Sequence, residues 1–566
     1  MPIATPARLI LDHVYDQVAD HPDQIFLTQP IGGGEVVDYT WAQMLSESRS
    51  MATHLQSLNF APGSRIAMLA KNSAHFIMAE LAIWMAGHTT VAIFPTESAA
   101  NVRFVLEHSE ASLLFVGKLD TWALQQSAVP AGLPCIALPL SPAVELESWS
   151  GIVARCEPMP GRPQRKRSDI AMLLYTSGST GQPKGVMQNF GSVTAATQAL
   201  LDGVMRDGDG DVPVRGLSYL PLAHAYERAC VQCLALMHKA PTHLYFTESL
   251  ASFMDDLKRA RPTFFCSVPR LWTKFQQGVL AAMPAAQLDA MLDNPALADT
   301  VRQKVLASIG LDQCTQARSG SAPIPVEVLR WYRKLGLNLL EGYGMTEDFC
   351  VSHRCTTEVN APGYVGVAYP EVQARIADDG EILVKSPGTL AGYYKRPDLD
   401  AEAFTDDGFF RTGDLGEYAS DGMLKITGRK KELFKTAKGK FVAPAPIENQ
   451  LNAHPMVELC MVSGVGQEAA YAMVVLDETL RPKLADPQER ARVQEALTVL
   501  LHGVNEGLAS YEKLRMLVVA SEPWSIANGC LTPTMKIKRS RIEASVAAMV
   551  DAWYTQAAPV LWQSRE

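Results

Sequence analysis

The sequence predicts an α/β protein, with a large N-terminal domain followed by a smaller α+β domain. Three observations carry this. Short β-rich runs alternate with helical ones near the start: RIAMLAKN (65–72), a helix from Ser73, TTVAIFP (89–95), a helix over 102–108 and SLLFVG (112–117). Parallel strands joined by crossover helices give that rhythm. After Gly363 the texture changes to short strands and DG turns in GEILVKS, DDGFFRTGD and ASDGMLKITG, which predicts a small β-rich unit closing the large domain. Past Gly428, VELCMVSG, AYAMVVLD, a helix over 488–501 and LRMLVVAS form a compact α+β module. The domains are therefore read as 1–428 and 429–566.

Taken in order, the opening MPIATPARLILDHVYDQ spaces Leu9, Ile10, His13, Val14 and Val18 helically. It lacks the basic patch, apolar core and cleavage site of an export signal. FIMAELAIWMAG (76–87) carries Glu80 and is shorter than the ~20 residues a membrane span needs, so it reads as a buried helix. The basic string RPQRKRS (162–168) is read as a solvated link. A net charge of -9, spread without blocks, gives no attraction for nucleic acid, which is excluded as a partner. The ten cysteines show no framework spacing, so reduced thiols and a cytoplasmic location are expected. Cys230 and Cys233, the one CxxC pair, are read as buried structural thiols rather than metal ligands.

The stretch YTSGSTGQPKG (175–185) follows the apolar run AMLLY. A glycine- and hydroxyl-rich turn leaving a buried strand lets backbone N–H groups and side-chain hydroxyls approach phosphate oxygens, with Lys184 as the cation. The phosphate loop G-x-x-x-x-G-K-[ST] is not matched, because Pro183 precedes Lys184 and Gly185 stands where a magnesium-binding hydroxyl belongs. The proline removes a donor and stiffens the turn, so a mobile cover over a triphosphate is expected.

Three further segments stand in order behind this loop: SGSAP (319–323), EGYGMTE (341–347) and FRTGDLGEYASDGMLKITGRKKELFKTAKGKFVAPAPIE (410–448), with LTPTMKIKR (531–539) in the tail. Together they resemble the acyl-adenylate-forming superfamily of acyl-CoA synthetases, peptide-synthetase adenylation domains and luciferases. The wording of LPLAHAYERA (220–229), SVPRLWTKF (267–275), LEGYGMTE and LTPTMK is most similar to long-chain fatty acyl-CoA synthetases. The resemblance implies a large domain of two stacked α/β subdomains plus a β-barrel, hinged to a small, mobile α+β domain. It implies activation of a medium- to long-chain fatty acid by ATP to acyl-AMP with release of pyrophosphate, then transfer to CoA. The alternative is an adenylating ligase that hands the acyl group to a carrier protein or another acceptor.

The resemblance also implies residue roles. Thr176, Ser177, Gly178, Ser179, Thr180, Gly181 and Lys184 embrace the phosphates. Thr176 and Glu347 are the Mg2+ ligands, as oxygen donors suit a small hard cation, and Thr346 contacts the α-phosphate. Tyr343, between Gly342 and Gly344, stacks on adenine. Glu341 is grouped with the nucleotide contacts, and Gly320, Ser321, Ala322 and Pro323 form the opposite wall. Asp414 accepts from the ribose hydroxyls, Arg429 also reaches the ribose, and Lys431 takes the hinge position. Lys536 bridges carboxylate, α-phosphate and ribose during adenylation, with Lys538 as the alternative register because Met535 replaces the glycine usual before that lysine. Lys435 belongs to a second face presented for thioester formation. His224 steers the carboxylate, and Arg270 and Trp272 line the mouth or floor of the acyl tunnel. Chain length, a homodimer and peripheral membrane contact stay open.

Overall fold

The computed structural model of the protein describes residues 8–177, 182–207 and 213–564. At its centre lies an eight-stranded sheet whose middle order is Ile170–Ser177, Thr89–Ile93, Arg65–Leu69, Ala111–Val116, all parallel. These runs are buried on both faces, as the near-continuous apolar patterns require. The strand Pro183–Asn189 is antiparallel to Ile170–Ser177 and joins the short strand Gly392–Tyr393 at the edge. The helix Ala74–Met85 is buried along its whole length and capped by Ser73, whose hydroxyl accepts from the Phe76 N–H. Its one charge, Glu80, is paired in the core with Arg228 and Gln232, which is how a carboxylate survives there.

A second sheet runs Phe264–Ser267, Gln316–Ser319, Leu339–Tyr343 in parallel and continues antiparallel into His353–Arg354 and Val367–Ala368. A four-stranded sheet of Val214–Ser218, Thr242–Phe246, Ile25–Gly32 and Glu35–Thr40 lies beside it, and the apolar cluster around Leu217, Phe265 and Trp272 fills the space between. The DG-rich segment makes an antiparallel sheet of Gln373–Ile376, Glu381–Lys385, Phe410–Tyr418 and Leu424–Arg429. Its last strand is hydrogen-bonded onward through Leu424 to Val365 and Gly366, giving the third, barrel-like unit.

Residues 434–562 build a separate four-stranded sheet, Val457–Ser463, Ala470–Leu476, Leu514–Val519 and Val560–Trp562. Alternate side chains separate to opposite faces: Val462, Ala472, Val474 and Leu517 face one apolar cluster, while Met461, Tyr471, Met473 and Met516 face another. Two helices, Pro444–Asn452 and Arg539–Tyr554, complete the unit beyond the elements predicted from sequence.

Two expectations need correction. The basic string is not solvated throughout, since the Arg165 side chain is 7% exposed, donates to the carbonyls of Trp84 and His88 and lies over the Phe190 ring. Trp272 does not reach a tunnel; it is fully buried against Phe265 and Tyr332. Its large apolar surface outweighs its position in the motif. Cys230 and Cys233 are free and buried in the π-helix Arg228–Cys233, and no cluster of metal-ligating side chains occurs among the described residues.

Candidate active site

A cleft of about 2740 Å³ opens where the carboxyl ends of the parallel strands meet the small C-terminal unit, the place where open α/β sheets bind ligands. The strand Ile170–Ser177 brings Thr176 to its wall, and Thr176 pairs across the hairpin with Lys184. Pro183 is the first residue of the returning strand rather than part of the turn, a position that needs no N–H donor. Gly178, Ser179, Thr180 and Gly181 lie outside the described residues, as does the Ser177 side chain. The Lys184 ammonium lies 5.4 Å from the centre of the Tyr393 ring. Burial, and then the charge of Lys431, lower its pKa.

The segment EGYGMTE leaves the second sheet at Tyr343 and turns into the cleft. Asp348 holds that turn by accepting from the Met345 N–H at 2.8 Å. Gly344 is required because a Cβ there would stand 2.6 Å from the Cys350 backbone. The Tyr343 hydroxyl donates to Asp414 Oδ2 at 2.7 Å, and Arg429 Nε donates to Asp414 Oδ1 at 2.8 Å. Asp414 is 4% exposed, and ring, carboxylate and guanidinium form one hydrogen-bonded triad whose Arg429 side chain stays open to the cleft. Gly320, Ser321, Ala322 and Pro323 line the same cleft, and a Cβ at Gly320 would press on the Tyr226 ring at 3.2 Å. Glu341 sits in the wall behind them, where burial pushes its pKa up to about 8.

The tail enters from the small unit as a tight hairpin. Leu531 bridges Ile537, the Thr532 N–H donates to the Lys536 carbonyl, and the Thr532 hydroxyl accepts from the Lys536 N–H. Met535 adopts φ +62°, the left-handed region that glycine enters freely. This accounts for the residue usual at that position and supports the register in which Lys536, not Lys538, is central. Lys536 projects into the cleft and remains open to its water. Desolvation by the surrounding walls, and then Arg429, draw its pKa down to about 8. Lys538 also lines the cleft, near enough to Glu97 for its charge to favour that carboxylate's ionised form.

His224 lines the same cleft, as do the apolar side chains of Leu200, Tyr226, Cys230, Leu234 and Phe264. Its Nδ1 accepts from the Tyr226 N–H at 3.1 Å, which leaves the proton on Nε2. Burial, with Lys536 adding to it, drops its pKa to about 3, so the ring is a neutral donor. Glu347 and Thr346 line the cleft, with Glu347 near enough to Lys184 to act on its charge. Glu347 Oε1 accepts from the Tyr393 hydroxyl at 2.9 Å, and the Glu347 carbonyl accepts from the Leu390 N–H.

The structure thus gathers Thr176, Lys184, His224, Glu341, Gly342, Tyr343, Gly344, Thr346, Glu347, Asp414, Arg429 and Lys536 around one cleft. Lys435 is not among them: it lies exposed on the hairpin strand Phe434–Lys435, over the Phe441 ring. Arg270 lines the cleft but is engaged with Glu458 of the small unit. Sequence reasoning missed Tyr393, which orients Glu347 and underlies Lys184. The only sequence signal was the aromatic pair in AGYYKRP, which has no period to distinguish it from core.

The chain matches the AMP-binding enzyme family over residues 14–394 and the AMP-binding enzyme C-terminal domain over residues 432–558. It is 30% identical to the long-chain-fatty-acid–CoA ligase FadD15 of Mycobacterium bovis, over 96% of this chain and 96% of the relative. It is 28% identical to the human long-chain-fatty-acid–CoA ligase 1, over 92% of this chain and 82% of that one. The fold is that of the adenylation domain of a carboxylate reductase from Mycobacterium chelonae, with a TM-score of 0.82 at 21% identity, covering 98% of this chain and 92% of that one. No helix among the described residues is long and apolar enough to cross a membrane. The chain belongs to the AMP-binding enzyme family and is an acyl-adenylate-forming enzyme related to the long-chain-fatty-acid–CoA ligases.

Proposed function

We propose that the protein activates a medium- to long-chain fatty acid with ATP, forming acyl-AMP and pyrophosphate, and then transfers the acyl group to CoA with release of AMP. The observation that carries this reading is the position of Lys536. The tail hairpin puts that cation in the cleft that also holds the Tyr343–Asp414–Arg429 triad, His224 and a set of apolar side chains.

A carboxylate oxygen attacks the α-phosphorus, the bond to the pyrophosphate oxygen breaks, and negative charge builds on the phosphoryl oxygens. Positioned cations and N–H donors, rather than covalent help, lower such a barrier. Lys536 neutralises the α-phosphate and the incoming carboxylate, Lys184 the leaving pyrophosphate, and the Nε2–H of His224 holds the carboxylate in line. Asp414 keeps lone pairs for the ribose hydroxyls, and Tyr343 offers its ring to the purine. Thr176 and Glu347 offer a hydroxyl and a carboxylate to the same cleft, a hard-oxygen set with few protein ligands, which fits an ion that keeps water and phosphate oxygens around it. When bound, Mg2+ neutralises phosphate charge there. In the second step the CoA thiolate attacks the acyl carbonyl and AMP leaves. We assign residues 1–428 to the adenylation domain and 429–566 to a mobile domain that withdraws Lys536 for that step, with Lys435 on the face then presented.

The test is AMP release with a series of straight-chain acids from octanoic to stearic acid, with CoA or a holo-carrier protein as acceptor. AMP and acyl-CoA, formed only when acid and CoA are both present, are expected. Discharge to the carrier alone would move the assignment to the other acceptor, and ADP as the product would end it.

A pH dependence follows. Lys536 acts as a cation, and its pKa in the free enzyme is lowered to about 8, so kcat/KM for pyrophosphate release is expected to fall as pH rises through that value. His224, at about 3, stays neutral across the working range and contributes no acidic limb. In Lys536→Arg the alkaline fall should disappear, since a guanidinium does not deprotonate there.

A further inference from the structure

Lys536 reaches the cleft from a unit with its own sheet and its own two apolar clusters, which a single crossing of the chain near Gly428 ties to the rest. Such a unit does not find its place through a shared core; its pose is set by what touches across the gap. Two ion pairs span that gap well away from the connecting segment, and both start from the helix Pro269–Ala282. Arg270 and Lys274, one turn apart on the same face, meet Glu458 and Glu478. Those two carboxylates lie at one end of the small sheet, because Val457 pairs with Leu476 and each carboxylate follows one of these strands' paired residues by a step or two.

Glu458 is the centre of the contact. Its side chain is 14% exposed, one oxygen takes the Arg270 guanidinium and the other takes Arg481 from its own unit. Lys274 reaches Glu478 at 3.3 Å on the open rim. A half-exposed rim pair adds little, whereas a carboxylate shared by two guanidinium groups and largely withdrawn from water is strong and directional. We propose that Arg270 and Glu458 form a clamp that holds the small unit in the pose delivering Lys536 to the cleft, and so are positioning residues for adenylate formation. This rests on the adenylation reading above.

The arrangement separates docking from folding. Removing Arg270 leaves Glu458 neutralised by Arg481, so the small unit keeps its internal pair. Removing Glu458 instead leaves two guanidinium groups facing each other, and Arg270→Glu sets two carboxylates face to face. The loss should therefore grow from Arg270→Ala through Glu458→Ala to Arg270→Glu.

The experiment compares these variants, and the exchanged pair Arg270→Glu with Glu458→Arg, in two half-reactions: ATP–pyrophosphate exchange with a fatty acid, and thioester formation from supplied acyl-AMP and CoA. For Arg270→Ala, kcat of exchange should fall about tenfold, the cost of a partly dehydrated charge contact, with KM for ATP and acid little changed. Thioester formation should hold its wild-type rate, and the exchanged pair should recover most of the exchange activity. Trypsin cleavage at the exposed Lys430 and Lys431, followed without substrate, gives a readout independent of chemistry: cutting should speed up in Arg270→Glu and slow again in the exchanged pair. Wild-type exchange rates in Arg270→Ala and Glu458→Ala, equal losses in both half-reactions, or cleavage unaffected by Arg270→Glu would each overturn the clamp. If wild-type enzyme exchanges no pyrophosphate with any fatty acid, the adenylation reading fails, and the cleavage result still decides whether the two units are held by this contact.

Discussion

Lys536→Ala is expected to lower the rate of pyrophosphate release by about a hundred- to a thousand-fold, the usual cost of removing one positioned donor from a site of developing charge. Circular dichroism and thermal melting should not change, because the side chain packs against no core cluster and its hairpin is held by the bonds of Thr532. The loss should appear in kcat rather than in KM for ATP, since the Tyr343–Asp414–Arg429 contacts proposed for the nucleotide remain. Thioester formation from supplied acyl-AMP should proceed at close to the wild-type rate. Lys538→Ala is the internal control: its charge acts on Glu97, and a few-fold effect is expected. Equal losses from the two substitutions would show that the tail acts through general positive charge and not through one placed cation.

The second large effect is expected at Glu347. Glu347→Gln keeps the volume and an oxygen acceptor for the Tyr393 hydroxyl, so the turn should survive, but it removes the charge that a hard divalent ion requires. The Mg2+ concentration for half-maximal activity should rise by about ten- to a hundredfold, with kcat falling as well. Tyr393→Phe removes only the hydrogen bond that orients the carboxylate and should shift the Mg2+ requirement less. Calorimetry separates metal from nucleotide: without divalent ion, ATP should bind Glu347→Gln at least as tightly as wild type, because a negative charge near the phosphates is gone. An unchanged Mg2+ titration would remove Glu347 from the metal site.

Much of this site was legible because its parts are local. Gly344, where a Cβ would stand 2.6 Å from the Cys350 backbone, is dictated by geometry over a few residues, and so leaves its mark along the chain. Met535 shows the same rule from the other side. The departure from glycine left the register open between Lys536 and Lys538, and it is the backbone, with φ +62° at Met535, that explains why glycine is usual there. Trp272 shows where the rule ends. It sits inside a motif resembling a tunnel wall, yet nothing in its neighbours along the chain records that Phe265 and Tyr332 close over it.

What the sequence determined by itself was the alternation of strands and helices, the separate small module, the family resemblance and most of the polar residues gathered around the cleft. These depend on side-chain period, turn chemistry and short-range sterics. The tertiary structure alone decided that Tyr393 orients Glu347, that the Asp414 carboxylate is already held by Tyr343 and Arg429, that Lys435 stands outside the cleft and that Arg270 grips Glu458. The pairs among these join residues between 15 and nearly 200 positions apart. Such pairs form only when packing of the apolar clusters has fixed where the sheets stand, and charge and hydrogen bonding then select partners from whatever that packing has brought together.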